Sequence, residues 1–275
     1  MARLEGARSL SPGQCAVVLT VCAYIGLVLV LPIVALVSRA VAQGPAPLLA
    51  AAGDPAARGG LVLTLVLAAI AVLANGIAGV VGALVMVRQR FLARRVLDAL
   101  VDMPLAVSPV MTGLAFLLVF GRGGWLEPAL GLLHLKVTFA FPGLVLATLF
   151  VTFPFTLREV AYVLAELGTD EEQAAVTLGA SAWQTFWLIT LPNIRFGLGY
   201  GIVLTLARAL GEFGAVLVIG GAISGKTQTA TIFIYNAVEE RQEPAAYAMA
   251  LVLAFASIAL LVVIEWLKRR RSAEN

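Results

Sequence analysis

Histidine occurs once and cysteine twice in 275 residues, and charged side chains make up only 13% of the chain. One imidazole, His134, with no cysteine or carboxylate set around it in sequence, does not make a metal site. Cys15 and Cys22 lie seven positions apart on one predicted helix, about 10 Å of rise, which excludes a disulfide between them and leaves two small packing residues. Aspartate is missing altogether beyond Asp170. So few charges cannot clothe a soluble surface of ordinary composition. What is present instead is apolar: 61% hydrophobic residues and a mean hydropathy of +0.97 exceed what a water-soluble core requires and read as a membrane protein. A net charge of +3 and a pI near 9.1 do not indicate nucleic acid, because the basic residues gather in short loops between apolar runs.

Six spans are expected, at about 15–37, 61–87, 102–120, 141–157, 196–221 and 246–267, between a tail of residues 1–14 and a tail of residues 268–275. The first run, followed by Ala40-Val41-Ala42, imitates a signal peptide but is longer than the apolar core of one and reads as a span. Residues 38–60 mix Pro, Gly and charge and form a first external loop with room for a short interfacial helix. Arg88 to Arg95, RQRFLARR, reads as a basic anchor, and residues 121–139 as a second external loop. With six spans, twelve of the nineteen Lys and Arg residues fall on the side of the two termini and six on the other, with Arg208 inside the membrane. The bias places both termini in the cytoplasm.

The organising stretch is the polar interruption Gly168 to Pro192, GTDEEQAAVTLGASAWQTFWLITLP. Thr169 with Glu172, and Ser181 with Gln184, each read as a capping box, so two helix starts are predicted. The first helix, about Asp170 to Leu178, ends at Gly179; the second starts near Ala182 and stops before Pro192. Trp183, Phe186, Trp187 and Ile189 give the second helix more apolar surface than it can bury alone. It presses into a partner's groove or lies on the lipid surface.

The spacing of this stretch resembles the cytoplasmic loop of ABC importer permeases, an E-A-A triplet, a glycine, nine residues, then I-x-L-P. Ala174, Ala175, Gly179, Ile189, Leu191 and Pro192 fall in register, and Gln173 stands at the glutamate position with Glu172 one residue earlier. The resemblance implies that Glu172 to Pro192, Ser181, Trp183 and Phe186 included, dock into an ATP-hydrolysing subunit.

The third span, DMPLAVSPVMTGLAFLL, contains Pro104 and Pro109 and must be bent or broken, as segments lining a pathway often are. Ser108 and Thr112 offer hydroxyls there, with bonding to their own backbone the preferred role. In the fifth span Arg208 and Glu212 stand four apart on one helix face at membrane depth and neutralise each other or a neighbour. Locking the helix to the bundle is preferred over lining an anion route. Gly220 to Thr227, GGAISGKT, matches the phosphate-binding pattern G-x-x-x-x-G-K-[ST] after a strand-like AVLVI. A nucleotide site needs a downstream magnesium-binding Asp, which is missing, and the topology puts the loop outside.

Beyond the loop, DMPLAVSPVMTGLAFLL, LGASAWQTFWLITLPNIRFGLGYGIVLT and ARALGEFGAVLVIGG are similar to W-type permeases of bacterial sulfate/thiosulfate ABC importers, with molybdate permeases next. The resemblance implies an all-α inner-membrane protein of the MetI-like permease fold with no cofactor or metal of its own and no covalent chemistry. It further implies a second related permease, two ATPase subunits carrying ATP and Mg, and an external sulfate-binding protein. A molybdate or tungstate importer, a stand-alone secondary anion transporter and a membrane-anchored P-loop ATPase are the alternatives.

Overall fold

The computed structural model describes residues 12–274, so Arg3 and Arg8 lie outside it. Every regular element among the described residues is helical. The first apolar run forms α1 (Pro12–Ile25) and α2 (Leu31–Ala42), joined by one π turn, Gly26–Val30, into a continuous rod. That rod is almost wholly exposed, with Ala40 its one buried side chain among those described, and Cys15 and Cys22, not joined in a disulfide, are exposed on it. The segment expected as the first external loop holds a short helix, α3 (Pro45–Gly53). Asp54 then caps α4 (Pro55–Arg88), its carboxylate accepting from the Ala56 N–H at 2.9 Å, with Pro55 in the first turn where no N–H is needed. At 34 residues α4 is roughly 50 Å long, longer than the hydrocarbon core.

The expected third span is two helices, α5 (Arg94–Ala106) and α6 (Pro109–Phe120), meeting at 113°. The break falls at Val107 and Ser108 because Pro109 forces the residue before it out of the helical region, and Ser108 takes φ −59°, ψ 136°. Pro104 is buried inside α5 and does not end it. A short α7 (Glu127–Leu132) follows, then α8 (Phe141–Leu167). The polar stretch carries α9 (Asp170–Thr177) and α10 (Ala182–Thr185). The predicted stop before Pro192 is not there. A π turn, Phe186–Thr190, runs straight into α11 (Leu191–Leu210), in one rod of 29 residues, Ala182–Leu210. The Leu191 N–H reaches back to the Phe186 carbonyl, and this wider turn accommodates a proline at the second position of α11.

The run expected to continue to residue 221 breaks after Leu210. A short α12 (Gly214–Gly220) follows, then α13 (Ala230–Glu239) and α14 (Glu243–Glu274). The AVLVI segment that read as strand-like lies in α12, so that reading is corrected. Among the described residues four helices are long and apolar enough to cross a membrane, five if the bent pair is one span, and Glu243–Ala259 adds a shorter apolar helix.

The bundle is organised on α4, α8 and α11. Within this trio the Asn75 amide donates to the Thr152 hydroxyl at 2.8 Å and to the Leu149 carbonyl at 3.0 Å, and the hydroxyls of Thr156 and Thr205 are 2.9 Å apart, all buried or partly so. Small residues let these backbones approach: a Cβ at Gly201 would stand 2.8 Å from the Thr156 Cα, and one at Gly79 3.0 Å from the Leu157 nitrogen. Hydrogen bonds and close contact of this kind hold helices together where lipid removes the hydrophobic drive. Gly201→Ala should therefore lower the thermal unfolding midpoint in detergent, by about 1–3 kcal/mol of stability. Gly76→Ala on α4, which meets open space, should leave it unchanged or slightly raised.

Candidate functional site

The loop between α8 and α11 is built from two glycine turns and one cap. Gly168, at φ +68°, ends α8. Gly179, at φ +89°, ends α9: its N–H bonds to the Val176 carbonyl at 3.0 Å and the Ala180 N–H to the Ala175 carbonyl at 3.0 Å, the Schellman pattern that favours glycine. The capping box at Ser181 is present in both directions, Gln184 N–H to Ser181 Oγ at 3.3 Å and Ser181 N–H to Gln184 Oε1 at 2.8 Å. The one expected at Thr169 is not. Thr169 caps no backbone N–H, and its hydroxyl accepts from the Gln173 amide at 2.7 Å, because Glu172 is drawn elsewhere.

The outer face is apolar. Trp183 is 70% exposed, Leu178 89% and Leu188 73%, with Trp187 and Val176 beside them. The rings of Trp183, Phe186 and Trp187 pack on one another at 5.4–6.4 Å, so the exposed indoles are held in place rather than trailing. Phe186 and Leu191 turn partly inward onto the cluster of Met86, Val163, Leu164 and Ile194, and Ile189 is half-buried. Ala174 faces out; Ala175 and Thr185 face in.

The inner face is polar. The Glu172 carboxylate meets Arg88 at 3.0 Å and accepts from the Thr190 hydroxyl at 2.9 Å. Glu171 accepts from the Asn193 amide. Arg88, read in sequence as an anchor at the membrane surface, thus faces the loop. Being 84 residues from its partner, it offered no spacing by which to find it.

The two helix breaks form a second candidate region, for they meet. Gly214, at the start of α12, packs on Pro109 and Val110; Gly113 of α6 packs on Ala215 and Val218, where a Cβ would stand 2.7 Å from Val218. Arg208 and Glu212 do pair, at 2.9 Å, across the end of α11 rather than along one helix. Glu212 is 3% exposed. Its other oxygen accepts from the Ala215 N–H at 3.1 Å, and its carbonyl accepts from the Thr231 hydroxyl at 2.7 Å. Thr112 is buried with its hydroxyl 3.4 Å from the Ser108 carbonyl, the backbone role; Ser108 itself is exposed.

Gly220 to Thr227 is no phosphate cradle. The Thr227 hydroxyl donates to the Gly220 carbonyl at 2.7 Å and accepts from the Ile223 N–H at 3.0 Å. The N–H groups of Lys226, Thr227 and Gln228 turn inward to the Ile223 carbonyl. A P-loop needs such donors pointing at the ligand.

A helical bundle with membrane-length rods, one of them carrying an exposed aromatic helix at its end, defines a membrane protein. Residues 75–273 match the family described as "Binding-protein-dependent transport system inner membrane component", and the chain belongs to this family. It is 42% identical over 252 residues to the sulfate transport system permease protein CysW of Synechococcus elongatus, covering 92% of this chain and 88% of that protein. It is 37% identical over 247 residues to the sulfate transport system permease protein CysT of Escherichia coli K12, covering 90% and 89%. In fold it is similar to a chain of a bacterial alginate ABC transporter solved with an alginate-bound periplasmic protein, TM-score 0.77 at 17% identity over 93% of both chains.

The two capping sites make a paired prediction. Ser181→Ala should destabilise the start of α10 by about 1 kcal/mol, speeding amide hydrogen exchange at Gln184 and Thr185. Thr169→Ala should leave exchange in the first turn of α9 nearly unchanged.

Proposed function

We propose that the chain is the transmembrane permease subunit of an ATP-driven importer of sulfate and thiosulfate, forming half of the translocation pore in a bacterial inner membrane. The observation that carries this is the docking helix itself: Trp183 and its neighbours stand out from the bundle, and Ala182–Leu210 is one rod, so whatever grips α10 moves α11. The names of the relatives support sulfate over molybdate or tungstate. A secondary carrier has no use for such a loop, and the closed Gly220–Thr227 turn gives a nucleotide-hydrolase reading no support. The chain is not itself an enzyme; ATP and Mg belong to the partner ATPase.

In this reading the bent pair α5 and α6 counts as one span and α14 as the last, giving six with both termini in the cytoplasm. The basic bias supports that orientation and puts the Gly168–Pro192 loop on the side of ATP. Closure of two ATPase subunits draws this loop and that of a second, related permease together and opens the pore outward; hydrolysis reverses it. An external sulfate-binding protein delivers the anion. The route passes the juxtaposed breaks, where Ser108, Pro109 and the Arg208–Glu212 pair lie, since unwound backbone at membrane depth belongs beside a path or within protein.

Gly179→Trp tests this. It forces a bulky L side chain into a positive-φ turn on the docking face, in open space that leaves the bundle untouched. Radiolabelled sulfate uptake in cells carrying the whole system should collapse while the protein stays in the membrane. Accumulation of molybdate in place of sulfate would correct the substrate alone, and uptake that survives the substitution would remove the coupling role of the loop.

A further inference from the structure

Three helix ends converge on the carboxylate of Glu172. Its Oε2 lies 3.0 Å from Arg88 Nε, and its Oε1 accepts from Arg88 Nη2 at 3.2 Å and from the Thr190 hydroxyl at 2.9 Å. Arg88 also donates from Nη1 to the Leu164 carbonyl at 3.2 Å. The end of α4, the last turn of α8 and the π turn leading into α11 are thereby tied to the first turn of α9. The two side chains are about a fifth exposed, 18% and 22%, over a small cavity that Asn193 and Ile189 also line. None of these groups lies on the outward aromatic face.

We propose that Arg88 and Glu172 are positioning residues that pass movement of the docked loop to α4 and α8, an inference that rests on the importer reading. Motion of α10 reaches α11 through the chain itself, because the two are one rod. It reaches α4 only through non-covalent contact, across the seam with α11 or directly from the loop, which adjoins α4 in space and not in sequence. Between α8 and α9, and again between α9 and α10, the chain passes through a glycine at positive φ, Gly168 and Gly179, the permissive points at which a rigid push is lost. Arg88, held by the Leu164 carbonyl and by Glu172, bridges the first gap, and Glu172, held by Thr190, bridges the second. The charge-assisted hydrogen bond from Nη2 fixes direction as well as distance, which apolar side chains sliding past one another do not, and the approach of Nε to Oε2 adds charge attraction without hydrogen-bond geometry. Asp98 and Asp102, which face Arg158 from α5 at 2.6 and 2.7 Å, tie α5 to α8 in the same manner, so the strut at α8 continues into the bent pair.

The test uses the complete importer in liposomes, with partner permease, ATPase subunits and binding protein, and reads sulfate imported and ATP hydrolysed on the same sample. Glu172→Gln keeps the shape and an oxygen for Thr190 but removes the charge; Arg88→Gln removes the other half. Each should raise the ATP hydrolysed per sulfate imported at least about fivefold while the ATPase subunits still co-purify, and the reversed pair Arg88→Glu with Glu172→Arg should bring the ratio back toward native. Uptake and hydrolysis falling in step, with the ratio kept, would overturn the proposal. So would failure of both single variants to assemble, which would make the pair a folding element. A native complex with no ATP-dependent uptake of sulfate, thiosulfate or molybdate would sink the importer reading itself, whatever the variants do.

Discussion

The structure depends on the seam where α4, α8 and α11 touch. In lipid, apolar side chains gain nothing by leaving one apolar surface for another, so the seam is made of what lipid cannot supply: hydrogen bonds and backbone contact. Asn75, Thr152, Thr156 and Thr205 provide the first; Gly79, Gly197 and Gly201 allow the second. Thr148 and Thr152 also bond the carbonyls of Leu144 and Thr148, one turn back, so their hydroxyls are satisfied whether or not a neighbouring helix is present. A seam fixed in this way leaves the rods little freedom to slide, and motion imposed at one end arrives at the other.

Against that rigid trio the remaining helices are interrupted, and each interruption carries its own compensation. At Ser108 and Pro109 the chain turns through 113°. At Gly211 to Phe213 it unwinds again, and there Glu212 plays three parts: its carboxylate receives the Ala215 N–H, pairs with Arg208, and its carbonyl receives Thr231. A buried charge of this kind is tolerable because the dipole of α12 and an adjacent guanidinium both oppose it. Breaking one helix at a proline and another at glycines, then seating Gly214 on Pro109, brings two irregular segments together. Irregular backbone is thereby concentrated in one place.

How much of this the sequence disclosed follows from the range of each signal. The membrane class was legible from composition, and the all-helical fold came with the family, which was legible from short motifs whose spacing is local. The Ser181 box was legible because both partners lie within one turn and nothing else competes for them. The Thr169 box, Thr and Glu at the same spacing, failed, because Glu172 is claimed by Arg88, 84 residues away. Pro192 read as a stop, since a proline at that place in an ordinary helix would lack its hydrogen bond and clash; the π turn before it changes the register, and no letter of the sequence announces one. The break in α11 had glycines to mark it, Gly211 and Gly214, but these served equally well as close-packing positions within an unbroken span. The Arg208–Glu212 pair was found by its spacing, and its true geometry differs only because the helix ends between the two.

The glutamine at 173, at the position that the E-A-A resemblance assigns to glutamate, stands in the same geometry. Successive residues on a helix differ by about 100°, so an acid at 172 cannot serve the direction of one at 173. Glu172 shares its face with buried Ala175 and points into the protein, where Arg88 and Thr190 occupy it. Gln173 points outward, exposed, its amide folded back onto Thr169. A carboxylate has therefore not been shifted by one place. The inward acid belongs to the inner contacts of the loop, and the outward position has been left neutral. The exposed face of the loop is made of Trp183, Leu178 and Leu188 with no fixed charge among them, so in the importer reading proposed above its fit to a partner would rest on shape and apolar burial more than on an ion pair.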